Sequence, residues 1–439
     1  MTTETTTDAK TGTTTGTTTG TATGTAQPRS AAARNAPPAR GSRRHTIGFW
    51  LIAATFLTAM AFSTVPTPLY PLYQHRDGFS TFMITVVFAV YAVGVVVSLM
   101  LAGHISDGVG RKRVLLPALA LEAVAAVLFL VWPALPGLIV ARFVTGLGVG
   151  MITATATAHL HELHSGSRPG AGHGRFEVVS TAANIGGLGV GPLVAGFLAQ
   201  FVTEPLRTPY AVFAILLLLG IAAVAAAPET VAELPQRPAW RPQTVSAPSG
   251  DRAGYLAAVV SGFSAFAVFG LFTSLAPAFV GGTLHHPSRL LAGVTVFLVF
   301  GAAALAQSAT SRMTAGTRLA TGLLGEAAGV VVLAMGMRES DLAAFLIGGA
   351  LAGAGAGVLF KSAVGTVVRA AAPAQRGSAL AGLFLISYLG LIVPAIGLGI
   401  ATRSVPATTA MLWFTGALLV VMTAAALLAR TARRTASKA

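Results

Sequence analysis

From Ser80 to Ala102 the chain carries no charged side chain, and from Val114 to Trp132 it carries one carboxylate, Glu122. Between them stands Gly103 to Arg113, GHISDGVGRKR, rich in glycine and dense in charge. A helix of about 20 apolar residues is long enough to cross a bilayer, and a helix satisfies all its backbone groups internally, as the hydrocarbon core demands. Two spanning helices joined by a tight turn are expected. Arg111, Lys112 and Arg113 place that turn in the cytoplasm, because short cytoplasmic loops collect cations. Gly103, Gly108 and Gly110 permit close backbone approach and positive φ, and Asp107 can pair with a cation or cap a helix.

The same pattern recurs along the chain. Apolar segments lie at about 46–67, 80–102, 114–132, 136–158, 176–201, 208–227, 253–279, 289–307, 317–337, 341–366, 376–400 and 406–429. A chain of 439 residues that is 54% hydrophobic and only 10% charged departs far from a soluble domain. It reads as an all-α membrane protein with twelve transmembrane helices and cytoplasmic termini, a multi-pass protein of the cell membrane.

The formal charge of +15 raises the question of nucleic acid, which the positions of the cations answer. Of the 29 Lys and Arg, only Arg76, Arg207, Arg289, Arg338 and Arg403 fall in outer loops, and Arg142 and Lys361 fall inside helices. All the others belong to cytoplasmic segments, so the basic balance encodes topology and no nucleic-acid partner is expected. The chain has no cysteine, which excludes disulfides, thiol catalysis and cysteine metal sites.

Five regions follow. Residues 1–44, rich in Thr and Gly with little apolar bulk, read as a disordered cytoplasmic tail. Residues 45–227 and 253–430 form two six-helix bundles, 228–252 a Pro- and Arg-rich cytoplasmic linker, and 431–439 a cytoplasmic tail. The halves correspond in sequence. LALEAVAA (119–126) aligns with LLGEAAGV (323–330), placing Glu122 on Glu326. Gly146, Gly148 and Gly150 match Gly353, Gly355 and Gly357, and Pro192 matches Pro394. Three pairs in one order indicate parallel repeats.

The turn at 103–113 resembles the signature loop between the second and third helices of the major facilitator superfamily, G-x-L-x-D-R-x-G-R-[RK]. Gly103, Asp107, Gly110, Arg111 and Lys112 match; Ile105 replaces the leucine and Gly108 a basic residue. ARFVTGLGVG (141–150) resembles the R-x-x-x-G-x-G motif of the fourth helix in proton-coupled members. GLGVGPLVAG (187–196) is similar to the G-x-x-x-G-P-x-x-G-G motif of drug and proton antiporters, with Ala195 in place of one glycine. The resemblance implies a cavity between the halves, lined by the first, fourth, seventh and tenth helices, and a rocking of one half against the other. It also implies that Asp107 and Arg111 latch the inner side of the interface in one state, and that Gly187, Gly191 and Pro192 shape the contact between halves, Gly196 completing the packing motif.

Ionisable side chains inside apolar helices are expensive, so each is a candidate for function. Arg142 carries a role in proton transfer by resemblance; an arginine reaching for the outer interface is the competing reading. Glu122 and Glu326 suggest proton carriers, since a carboxyl group away from water is costly to ionise, yet their repeat symmetry suits a structural bond in each half equally well. The first helix holds three prolines near its outer end but lacks the acidic residue that many proton-driven exporters carry there. His159, His161 and His164 with Glu162 miss the H-E-x-x-H spacing and read as a solvated helix end rather than a metal site. No phosphate-binding G-x-x-x-x-G-K-[ST] occurs, so the energy source is an ion or solute gradient.

The expected function is secondary transport by alternating access: proton-coupled efflux of a small amphipathic or drug-like compound, by a monomer in the bilayer, without cofactor or metal and not as an enzyme. Uptake or uniport of a metabolite such as an organic acid or sugar is the alternative, with a membrane-embedded enzyme or a sensor as remoter classes. Tyr91, Asn184, Phe263, Phe266 and Phe269 are candidates to line the cavity.

Overall fold

The computed structural model describes residues 42–102, 105–231, 242–248 and 251–436. The described residues form helices and connecting loops without a strand, and twelve helices are long and apolar enough to cross a membrane. They are α1 (Arg43–Asp77), α2 (Thr81–Leu101), α3 (Arg111–Val131), α4 (Leu135–Ser167), α5 (Gly174–Phe201) and α6 (Thr208–Ala226) in the first half. The second half holds α7 (Arg252–Ser274), α8 (Arg289–Ala309), α9 (Ala315–Arg338), α10 (Leu342–Ala370), α11 (Arg376–Ala401) and α12 (Ala407–Arg434). The end of the fold that carries the α2–α3 turn is the basic face below.

Local chemistry sets several boundaries. Asp251, Ser288, Thr314 and Asp341 each accept a backbone N–H in the first turn of α7, α8, α9 and α10, the usual remedy for donors that have no partner inside the helix. Gly78 ends α1 in the left-handed region, with φ 72°. α1 and α4 outrun the apolar segments furthest. α1 continues past Pro66 and Pro68 through a 3₁₀ turn, Thr67–Leu69, into Tyr70–Asp77. α4 continues through HLHELH to Ser167, a full 33 residues.

The outward faces are apolar. Leu305, Leu324, Met335 and Val420 are 60–74% exposed, an arrangement that suits lipid and not water. Inside, one buried cluster runs through the first half and reaches Leu391 and Ala395 of α11, and two others fill the second half.

The repeat read from the sequence appears as repeated packing. Gly148 of α4 faces Glu122 of α3, and Gly355 of α10 faces Glu326 of α9. Gly146 and Gly150 lie against α2 at Tyr91 and Ser98, as Gly353 and Gly357 lie against α8 at Val299 and Ala303. Small residues at these positions let backbones approach where no hydrophobic force drives helices together in lipid.

Candidate functional site

A cavity of about 100 Å³ lies between the halves. Its wall is aromatic: Phe88 and Tyr91 of α2, Phe266 and Phe269 of α7, Phe300 of α8, Phe360 of α10, and Phe384 and Tyr388 of α11. Met60 and Thr64 of α1, Arg142 and Thr153 of α4, and Asn184 of α5 also line it. Eight helices contribute, rather than the four expected, because α2, α5, α8 and α11 carry the contact between halves. Tyr91, Asn184, Phe266 and Phe269 line the cavity as expected. Phe263 does not: it borders an outward groove among α7, α11 and α12 with Trp413 and Phe414.

Arg142 is buried, and it does not reach for the interface. Its Nη1 donates to the Ser63 carbonyl at 2.5 Å, and its guanidinium carbon stands 4.3 Å from the centre of the Tyr91 ring. Its Nε is buried without a hydrogen-bond partner. The Ser63 carbonyl is available because the α-helical run of α1 ends at Thr64, before Pro66, Pro68 and Pro71.

Glu122 and Glu326 lie outside the cavity wall. Both are fully buried, each between the paired helices of its own half. Glu326 accepts from the Ser264 hydroxyl of α7 at 2.6 Å, whereas neither oxygen of Glu122 has a hydrogen-bond partner. Glu122 is within Coulombic reach of Arg142.

The glycine motif of α5 alternates between two neighbours. Gly187 and Gly191 pack on α1 of the same half, at Met60 and Ala61. The contact between halves falls instead to Gly189, against Phe297 and Phe300 of α8, and to Gly196, against Arg289 and Gly293. The Pro192 carbonyl meets Gly293. Proline removes the N–H that would bond the Leu188 carbonyl, and Thr64 Oγ1 supplies the missing donor at 2.9 Å. This bond ties α1 to the bend in α5 beside the cavity. Just before that bend, Ala182–Gly186 forms a π-helical turn that includes Asn184.

At the basic face Gly103 and the side chain of Asp107 lie outside the described residues. Gly110, with φ 110°, begins α3 in a conformation that favours glycine. Arg111 Nη2 donates to Glu162 Oε1 at 2.7 Å, and its Nη1 donates to Ser106 Oγ at 2.7 Å. Thr230 Oγ1 donates to Glu162 at 2.5 Å. The Glu229 carboxylate accepts the backbone N–H groups of Arg111 and Lys112, each at 3.0 Å, so it caps α3 from the far end of the half. Burial pushes the Glu229 carboxyl up, but these bonds, with those from Val231 and Thr230, outweigh it and hold the group below its ordinary range. Glu162 drew notice in the sequence only beside the histidines, as a metal reading set aside, and Glu229 did not stand out at all. The histidines diverge: His159 Nε2 is 3.0 Å from the Pro228 carbonyl, His164 Nε2 is 3.3 Å from that of Gly172, and His161 stacks on His173.

Away from the basic face the halves are joined by several contacts. There Arg289 Nη1 donates to the Ala199 carbonyl at 2.7 Å, Arg403 stands 5.7 Å from the Phe82 ring, and Gly399 packs on Thr85. On the other side of the cavity Lys361 of α10 pairs with Glu177 of α5 at 3.5 Å and donates to the Gln307 carbonyl at 2.9 Å.

The chain is similar to known proteins in sequence and in fold. An uncharacterized MFS-type transporter of Pseudomonas aeruginosa is 28% identical over 138 residues, 29% of this chain and 34% of that protein. The MFS-type transporter YceJ of Bacillus subtilis is 29% identical over 178 residues, 40% of this chain and 44% of that protein. The matches thus span a third to less than half of those relatives' length. In fold, the human organic anion transporter MFSD10 (TETRAN) superposes with a TM-score of 0.64 over 87% of this chain and 99% of that one, at 17% identity. Residues 51–325 match the family model of the Major Facilitator Superfamily, and with its twelve helices and paired halves the chain belongs to that family.

Proposed function

We propose that the protein is a secondary transporter that works by alternating access and exports a small apolar or amphipathic compound in exchange for protons. The aromatic cavity with one buried cation carries this reading. Six phenylalanines offer rings that accept many apolar shapes, while Arg142 and Asn184 supply the few polar contacts that orient a ligand. A site shared by both halves can be opened to one face and then the other by rocking of the halves.

Proton coupling rests on Arg142 and Glu122. A buried guanidinium and a buried carboxyl within Coulombic reach make the charge of one depend on the other, so taking up a proton at Glu122 changes how strongly Arg142 holds its partners. Glu326, bonded to Ser264, serves the packing of the second half. Asp107 and Arg111 act as the latch of the basic face, with Glu162 and Glu229 fixing where that latch sits. The protein functions as a monomer in the cell membrane with both termini in the cytoplasm, a sidedness supported by the distribution of its cations.

The test is the internal pH of inverted membrane vesicles while lipophilic cations, antibiotics and organic acids are added. Substrate-driven proton movement in wild type, lost in Arg142→Ala and Glu122→Gln and impaired in Asp107→Asn, is expected. Folded protein that moves no proton with any compound, or that accumulates a sugar or organic acid inside energised cells, overturns the export reading.

A further inference from the structure

The two halves differ where their repeat predicts likeness, and the difference is one of charge. At the basic face of the first half, α3 begins beneath two carboxylates. Glu229 caps its first N–H groups and Glu162 pairs with Arg111. In the registry that sets Gly148 on Gly355, Glu162 falls on Arg369; in the registry that sets Glu122 on Glu326, Lys112 falls on Gly316. Gly316, in the first turn of α9, has Arg433 of α12 beside it, where the first half has Glu229 beside Lys112. Two carboxylates are thus replaced by two guanidinium groups.

A cavity of about 170 Å³ occupies this place, among α7, α9, α10 and α12. Arg369, Arg433, Ser261, Ser362 and Thr366 line it, and no carboxylate does. Arg369 donates to Thr366 Oγ1 at 3.3 Å and Arg433 to the Gly316 carbonyl at 3.4 Å, both long bonds to neutral oxygens. Ser261, fully buried in the wall nine residues into α7, has a hydroxyl with no hydrogen-bond partner. The start of α9 adds its positive dipole end. Asp251, at the start of α7, spends its carboxylate on the Gly254 N–H at 2.8 Å.

Two guanidinium forks, a buried hydroxyl donor and a helix start converge on one volume, which suits a group with several anionic oxygens. We propose that this cavity binds a phosphate group, held by Arg369 and Arg433 at its mouth and by Ser261 at its inner end. Its position at the basic face, between spanning helices, allows the phosphate to come from an anionic lipid headgroup or from a free anion.

Purified full-length protein in neutral detergent separates these sources. Thermal unfolding and native mass spectrometry are followed with inorganic phosphate, and in parallel with phosphatidylglycerol against phosphatidylcholine. The variants are Ser261→Ala, the double change Arg369→Gln with Arg433→Gln, and Arg430→Gln, an exposed cation of α12 outside the cavity. The expected result is that one probe binds wild type and Arg430→Gln alike, and binds the double variant at least about tenfold more weakly. Ser261→Ala falls between them. A response to inorganic phosphate assigns a free anion, and a response to phosphatidylglycerol alone assigns a lipid headgroup. Equal binding by wild type and the double variant, a loss as large in Arg430→Gln, or no binding of either probe to wild type overturns the site.

Discussion

Arg142 holds its guanidinium 4.3 Å from the centre of the Tyr91 ring while donating to the Ser63 carbonyl, so three helices fix the one cation of the cavity. A desolvated cation over an aromatic face is worth about 2 kcal/mol, or roughly thirtyfold in an equilibrium that depends on it. Tyr91→Phe, which keeps the ring, is expected to retain transport, whereas Tyr91→Leu lowers it by about that factor. Initial rates in vesicles, normalised to folded protein, check the pair; equal losses in both variants would assign the role to the hydroxyl instead.

The cation was legible in the sequence because an arginine stood in an apolar run. Tyr91 could be named as a candidate for the cavity, but its pairing with Arg142 could not, because the two lie on different helices. The same distinction holds elsewhere. Twelve spans could be read from length and hydropathy, which are local properties. The extensions of α1 and α4 could not, because they run on through proline- and histidine-rich residues that lie beyond the apolar stretches. Glu229 sits in a Pro-Glu-Thr stretch that reads as plain linker; its capping of α3 depends on a fold that brings the ends of α3 and α6 together. Alternation of the α5 glycines between α1 and α8 likewise needs helix rotation, which a motif does not supply.

Thr64 completes the bond that Pro192 removes. Thr64→Val keeps the shape but leaves the Leu188 carbonyl without its donor, at a cost of about 1–3 kcal/mol. Thr64→Ser restores the donor. Thermal unfolding of the two variants is expected to show a lowered midpoint for valine alone.

Gly148 and Gly355 occupy equivalent places but tolerate a methyl group differently. A β-carbon at 148 stands 2.6 Å from Glu122 Oε1, the tip of a side chain, and 3.0 Å from the Ala118 carbonyl. One at 355 overlaps the backbone nitrogen of Glu326, which cannot turn aside. Gly355→Ala is therefore expected to destabilise by the larger share of the ~1–3 kcal/mol range for overpacking, and Gly148→Ala by less. A matched pair of unfolding curves decides the order.

The Glu229 cap carries a pH signature. Its carboxyl group ionises more readily in the folded protein than in the unfolded chain, so its stabilising effect is full above the ordinary glutamate range. That effect fades as pH falls through the lower value of the folded state. Wild type is expected to lose stability across this acidic window, and Glu229→Gln to start lower and vary less there. Parallel curves for the two proteins would remove Glu229 from the account.

Alternating access requires that the contacts opposite the basic face come apart in every cycle. The chain has no cysteine, so Phe82→Cys with Arg403→Cys introduces its only thiols at a pair of side chains that touch across the halves. The decisive measurement is substrate-driven proton movement in vesicles after joining the two thiols with a short reducible reagent. Transport is expected to stop on joining, to return on reduction, and to be unaffected by the reagent in either single variant. Undiminished transport by fully joined protein would contradict the rocking of the two halves around the cavity.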